Sequence, residues 1–362
     1  MAITATTTDQ SADVFALLRE LTRQQLTWSF EGTTQAESVV HRVAAAHGAH
    51  AEVTFLADAA ILTIGDRTAS FSKAWQVVGL GLFSLGFGIS VQATGQDIAA
   101  SAFLGLLVGL LVVAGQGRPR LALVSPFVAS VTVSTLVLFA YKEGWIEGGP
   151  IQLMVPCLFI FIPGDAISAG VLVLAGGRIT AGATRLIYSV AILLVLAFGA
   201  LVATASADVP ASFLFDVEVD DTFGFWVAWG GWIVFAVGTM LTFSMRPADF
   251  PWALGVLLLT AAAAQLGTRA FGEVVGTFLG AIVMTVAALL LGRPRNRPPA
   301  YVLYLGAFYV LTPGSHGLRG FESWLGGHSI LGFQGLSDMV ALMTALAAGM
   351  LVAAAAVRRA AR

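Results

Sequence analysis

Residues 163–182 read PGDAISAGVLVLAGGRITAG, and residues 313–332 read PGSHGLRGFESWLGGHSILG. Pro163-Gly164 falls on Pro313-Gly314. Gly170, Gly176-Gly177 and Gly182 fall on Gly320, Gly326-Gly327 and Gly332, every match at an offset of 150 residues. The same offset carries the hydrophobic runs of the first half onto those of the second. Proline removes a backbone donor, and the glycine after it permits a non-helical turn. Each copy is therefore expected to break inside an otherwise apolar helix. Paired, glycine- and proline-interrupted helices in an internal repeat are a mark of secondary transporters.

Composition sets the compartment. Apolar residues make up 57% of the 362-residue chain and charged residues 11%, with a mean hydropathy of +0.85. Soluble domains carry about 25% charge. Ten spans are expected, near residues 75–90, 98–115, 121–141, 150–175, 184–203, 225–244, 251–266, 273–291, 299–325 and 336–357. Subtracting 150 from the last five returns close to the first five. Five is odd, so equivalent helices run in opposite directions and the repeat is inverted. A second likeness, Gly117-Arg118-Pro119-Arg120 against Gly292-Arg293-Pro294-Arg295 at an offset of 175, is read as two similar basic helix ends.

The expected fold is an all-α polytopic membrane protein. Ten transmembrane helices form an inverted 5+5 repeat with helices four and nine broken, behind a small N-terminal α/β cytoplasmic domain. The boundaries are 1–72 for that domain, 73–204 for the first repeat, 205–224 for an extracytoplasmic linker and 225–362 for the second repeat. Within the first domain, 15–26 and 35–46 have helical apolar spacing, and 52–55 and 60–64 read as strands. Residues 1–13 are polar and lack a leader pattern.

Basic residues give the orientation. With the N-terminus inside, Arg118, Arg120, Arg178, Arg185, Arg246, Arg293, Arg295, Arg297, Arg358, Arg359 and Arg362 face the cytoplasm. Only Lys142, Arg269 and Arg319 face outward. The loop carrying Asp208, Asp216, Glu218, Asp220 and Asp221 then lies outside. Both termini are expected in the cytoplasm of a cell (inner or plasma) membrane.

A net charge of −2 speaks against a nucleic-acid partner. Five histidines without an HExxH or CxxC pattern give no reason to expect a metal, and no cofactor is expected. Cys157 is the single cysteine, so an intrachain disulfide is impossible. Nothing resembles a Walker loop, so direct ATP drive is not expected.

The breaks carry the chemistry. A half-helix that restarts after Pro-Gly offers free N–H groups to an anion. Such irregular backbone is tolerated at membrane depth only inside protein or beside a water-filled cavity. Gly164, Asp165 and Ser168 at the first break are candidate substrate ligands, as are Gly314, Ser315, His316 and Arg319 at the second. Asp165 can cap its half-helix, bind a substrate amine or carry a coupling proton. Asp338, near the start of the last span, is a second candidate proton carrier; an interfacial residue on a helix end is the plainer alternative. Arg319 and Glu322 are three apart and can neutralise each other. Alternatively, Arg319 clamps a carboxylate while His316 relays a proton. The glycines after each break fit close helix packing. Trp226, Trp229 and Trp232 fit an interfacial belt, with a pocket wall as the alternative.

The residues that carry a family likeness are AAAHGAHAEVTFLADAAILTI (44–64), FIPGDAISAGVLVLAGGRITAGATRL (161–186) and LTPGSHGLRGFESWLGG (311–327). Taken in that order, they resemble the threonine/serine exporter family. The family pairs a cytosolic N-terminal region with two five-span halves, each with a Pro-Gly motif. Asp165 departs from its pattern, since small apolar residues or asparagine often follow the first Pro-Gly. The resemblance implies proton-driven export of small hydroxy amino acids. Members split into two chains are associated with dicarboxylates, which makes a succinate-like substrate the alternative. A second alternative is an intramembrane enzyme using Asp165 and Asp338 as paired carboxylates. The expected partners are a small amino acid or dicarboxylate, protons and the lipid bilayer; a homo-oligomer is left open.

Overall fold

A computed structural model describes residues 51–56, 59–64, 71–91, 94–116, 118–146, 148–175, 179–216, 225–292, 298, 300–311 and 314–359. The expected helices at 15–26 and 35–46 lie outside these. So do Pro313 and residues 217–224 of the acidic loop, with Glu218, Asp220 and Asp221. The chain is first described as an antiparallel pair, β1 (Ala51–Leu56) and β2 (Ala59–Ile64), in which Ala51 faces Ile64 and Phe55 faces Ala60.

Twelve α-helices follow among the described residues. They are α1 (Lys73–Val91), α2 (Gly95–Gly115), α3 (Pro119–Lys142), α4 (Pro150–Leu158), α5 (Gly164–Ala175), α6 (Ile179–Ser206), α7 (Phe225–Thr242), α8 (Phe250–Phe271), α9 (Glu273–Leu291), α10 (Ala300–Val310), α11 (Gly314–Leu325) and α12 (Ser329–Arg359). Of these, α2, α3, α6, α8, α9 and α12 are long and apolar enough to cross a membrane. The protein is thus a multi-pass membrane protein. The fourth expected span is divided into α4 and α5, and the ninth into α10 and α11.

Local chemistry fixes the helix ends. Thr94 caps α2, its hydroxyl accepting from the Asp97 N–H at 3.1 Å. Proline opens α3 and α4, where its missing donor costs nothing. Gly272, at φ 90°, makes the turn between α8 and α9. Hydroxyls within the spans donate to carbonyls four residues back, as Thr239 does to Phe235 at 2.9 Å and Thr260 to Val256 at 2.7 Å. In hydrocarbon that is the nearest available acceptor.

Small residues let the helices approach. Gly79 and Gly86 of α1 face Gly238 and Gly231 of α7. A Cβ at Gly238 would lie 2.7 Å from the Phe83 Cα, and one at Gly86 would lie 2.6 Å from the Phe235 Cα. Low residue numbers on one helix meet high numbers on the other, so α1 and α7 cross antiparallel. Phe83 and Phe235 meet at the crossing, with ring centroids 4.5 Å apart and planes tilted by 34°. Phe159 and Tyr309 join them at 5.9 and 5.4 Å from Phe83, completing an aromatic cluster at the centre of the bundle.

Two further contacts are equivalent in number. Gly170 of α5 packs on the Gly182 carbonyl and Leu186 of α6. Gly320 of α11 packs on the Gly332 carbonyl and Leu336 of α12. Each partner is 150 residues from its counterpart. The helix neighbours follow the same scheme: α3 packs on α6 as α9 packs on α12, and α5 meets α12 as α11 meets α6.

Candidate substrate site

At the first break, α4 tightens into a 3-10 turn at Phe159–Phe161. Ile162 is extended, with ψ 117°, and α5 then restarts at Gly164. At the second, α10 ends at Val310 and α11 begins at Gly314. These two starts meet. A Cβ on Gly314 would touch Ile162 and lie 3.5 Å from the Gly164 Cα. Two half-helix N-termini therefore face one another in the interior, and both glycines are buried. The absence of a side chain at Gly314 is what permits the approach.

A cavity of about 460 Å³ opens beside this junction. Its wall includes Ser315, His316 and Arg319 of α11, Tyr309 of α10, Gln265 and Arg269 of α8, Glu273 and Thr277 of α9, and Phe87 and Trp232. His316 Nε2 lies 3.2 Å from Glu273 Oε1. Arg319 donates to Asp216 Oδ2 at 3.1 Å. Two turns of α11 beyond the break, Glu322 is fully buried, and neither of its oxygens accepts a hydrogen bond from a described residue.

Several expected site residues come together here. Ser315, His316 and Arg319 share one cavity wall, and Gly314, which abuts Gly164, directly precedes Ser315. Asp165 and Ser168 occupy the first two turns of α5, starting at that junction; their side chains lie outside the described set. Asp338 is on an exposed position of α12 and is absent from the cavity wall. Arg319 pairs with the linker's Asp216 and not with Glu322, because the linker folds back over α11. Trp232 is 8% exposed and walls the cavity, so it is not part of an outer belt.

Glu273 and Asp216 were invisible as site residues. Glu273 opens an apolar helix and Asp216 belongs to an acidic loop, and only tertiary packing brings either to α11. The spacing of Arg319 and Glu322 was the one local signal for this cluster.

A family model described as "Putative threonine/serine exporter" matches residues 3–207, more than half of the chain. The chain belongs to the threonine/serine exporter family. No curated protein and no solved structure matches it. The matched stretch runs through β1, β2 and helices α1 to α6. The second break, with Ser315, His316 and Arg319, lies beyond it.

This exporter-family chain has a second cavity, about 390 Å³ and shallower, lined by Val112, Gly115, Gln116, Arg118, Ala122, Ser125 and Phe161. Its wall comes from α2, α3 and the turn before the first break. The larger cavity draws on α8, α9 and the turn before the second. Phe161 and Leu311 are 150 residues apart and each lines one of the two.

Proposed function

We propose that the protein is a secondary active exporter of small hydroxy amino acids, threonine or serine, driven by the proton gradient. The observation that carries this reading is the meeting of two half-helix N-termini at Gly164 and Gly314, beside a cavity holding charges of both signs. Free N–H groups and helix dipoles at such a junction favour a carboxylate. Arg319 and His316 add donors to the same end. Glu273 supplies a carboxylate for an ammonium group, and Ser315 and Thr277 supply hydroxyls. That assortment suits a zwitterion with a hydroxyl. A dicarboxylate would meet Glu273 as a like charge.

The architecture behind the reading is an inverted 5+5 repeat. The antiparallel α1–α7 crossing, the matched Gly170–Gly182 and Gly320–Gly332 contacts and the reciprocal helix neighbours support it. The two cavities of unequal depth would then be the outward and inward paths. In this reading both termini lie in the cytoplasm, the membrane is the cell's own, and Asp165 contributes to amine binding or proton exchange. Asp338, exposed on α12, is less well placed for that role.

Proteoliposomes loaded with radiolabelled threonine, serine or succinate test the reading. An inward proton gradient should drive threonine and serine out, with succinate retained. Efflux of succinate alone, or of none of the three, would overturn it.

A further inference from the structure

Glu322 is the one fully buried carboxylate on α11, with no described donor to either oxygen. Two charged groups act on it: Arg319, one turn earlier on the same helix, and Asp216 from the linker. Arg319 already donates to Asp216 at 3.1 Å. The linker is held down beside that contact. Leu214 is fully buried and packs on Gly326, and His328 Nε2 lies 3.0 Å from the Ser212 carbonyl oxygen. The linker therefore straps the outer end of α11. Lys142 of α3 pairs with its Asp208 at 3.4 Å, and the charged clasp onto α11 itself is made by Arg319, a residue of the cavity wall.

Among the described residues, the other helices packed on α11 add no charged group to these two. Cys157 of α4 turns its thiol to the Leu153 carbonyl at 3.2 Å. α6 carries Arg185 and Tyr188 near its start, ahead of Leu193, the α6 residue beside Gly317 of α11. α12 carries Asp338 on its exposed side and Arg358 and Arg359 at its far end. Asp165 belongs to the first turn of α5.

We propose that Glu322 is a proton-binding site that latches the outer mouth of the cavity: it holds a proton while Arg319 is clasped to Asp216 and releases it when that clasp opens. With the clasp closed, Asp216 and Arg319 neutralise each other, and an ionised Glu322 would stand as an uncompensated buried charge. With the strap lifted, Arg319 is free to pair with an ionised Glu322 three residues away. The closed state binds one more proton than the open state. Acid therefore favours the closed strap and alkali the open one. A proton taken from the outer solution would close the mouth behind a departing substrate.

The proposal rests on the exporter reading for its place in a cycle, but its test needs no transport. In a Cys157→Ala background, Leu214→Cys reports strap opening through reaction with a membrane-impermeant methanethiosulfonate. Ser212→Cys, exposed on the same strap, corrects for thiol ionisation. The corrected Leu214→Cys rate should rise about tenfold from acid to alkaline pH. Adding Glu322→Gln should hold it at the low, acid value at every pH. Adding Asp216→Asn should hold it high throughout and serves if Glu322→Gln is poorly inserted. A pH dependence that survives Glu322→Gln, or a low rate in Asp216→Asn, would overturn the proposal. Threonine efflux in the same vesicles tests the exporter reading separately.

Discussion

Glu273 distinguishes the two substrate classes at the scale of single residues. It is half-exposed at the cavity wall and holds His316 at 3.2 Å. In the amino-acid reading it receives the substrate ammonium. Glu273→Gln keeps the size but removes the charge. Threonine efflux should fall about tenfold or more, the equivalent of roughly 1.4 kcal/mol. Any succinate efflux should be unchanged or rise, and initial-rate efflux with both labels checks this. Asp165→Asn makes a companion test, because asparagine caps a helix about as well as aspartate. Gradient-driven efflux should fall about tenfold. Exchange without a gradient should survive if Asp165 carries the proton and fail if it binds the amine. Unchanged gradient-driven efflux would remove Asp165 from the mechanism.

At the scale of elements, glycines decide which helices approach. At the α1–α7 crossing Gly86 lies against the main chain of Phe235 and Gly231, and Gly238 against that of Phe83 and Gly79, so a new Cβ at either would strike backbone. Gly86→Ala and Gly238→Ala should each destabilise the protein by about 1–3 kcal/mol, measured as a lowered melting temperature in detergent. Gly230 and Gly255 have nothing within 4 Å of an added Cβ. Alanine at either should be neutral or raise stability by up to about 1 kcal/mol, from helix propensity alone. Equal effects at all four positions would contradict the crossing.

Both breaks could be read from the sequence because proline and glycine act locally, on their own backbone. The α1–α7 pairing could not. Gly79 and Gly86 match Gly231 and Gly238 at an offset of 152, two more than at the breaks, so a fixed offset passes over them. The charged cluster was hidden for a different reason: Glu273 and Arg319 of the cavity wall, and Asp216 that pairs with Arg319, belong to three separate segments that only folding assembles. The strap of residues 211–216 carries no periodic pattern, and its aromatic residues Phe213 and Phe215 pack edge-on against Tyr141, each with ring centroids 5.6 Å away.

For the whole molecule, orientation and the binding junction stand together. If the termini are cytoplasmic, the strap and the larger cavity face outward. Ser212→Cys, exposed in the strap, should then react with an impermeant thiol reagent in intact cells, and reaction only after permeabilisation would reverse the orientation. The central claim is that substrate binds where the two half-helices meet. Ser315→Cys, one residue past Gly314 on the cavity wall, tests it most directly. In a Cys157→Ala background, saturating threonine should slow its reaction with the reagent about tenfold, and succinate should not. Full reactivity in the presence of threonine, in a protein that still exports it, would contradict the account.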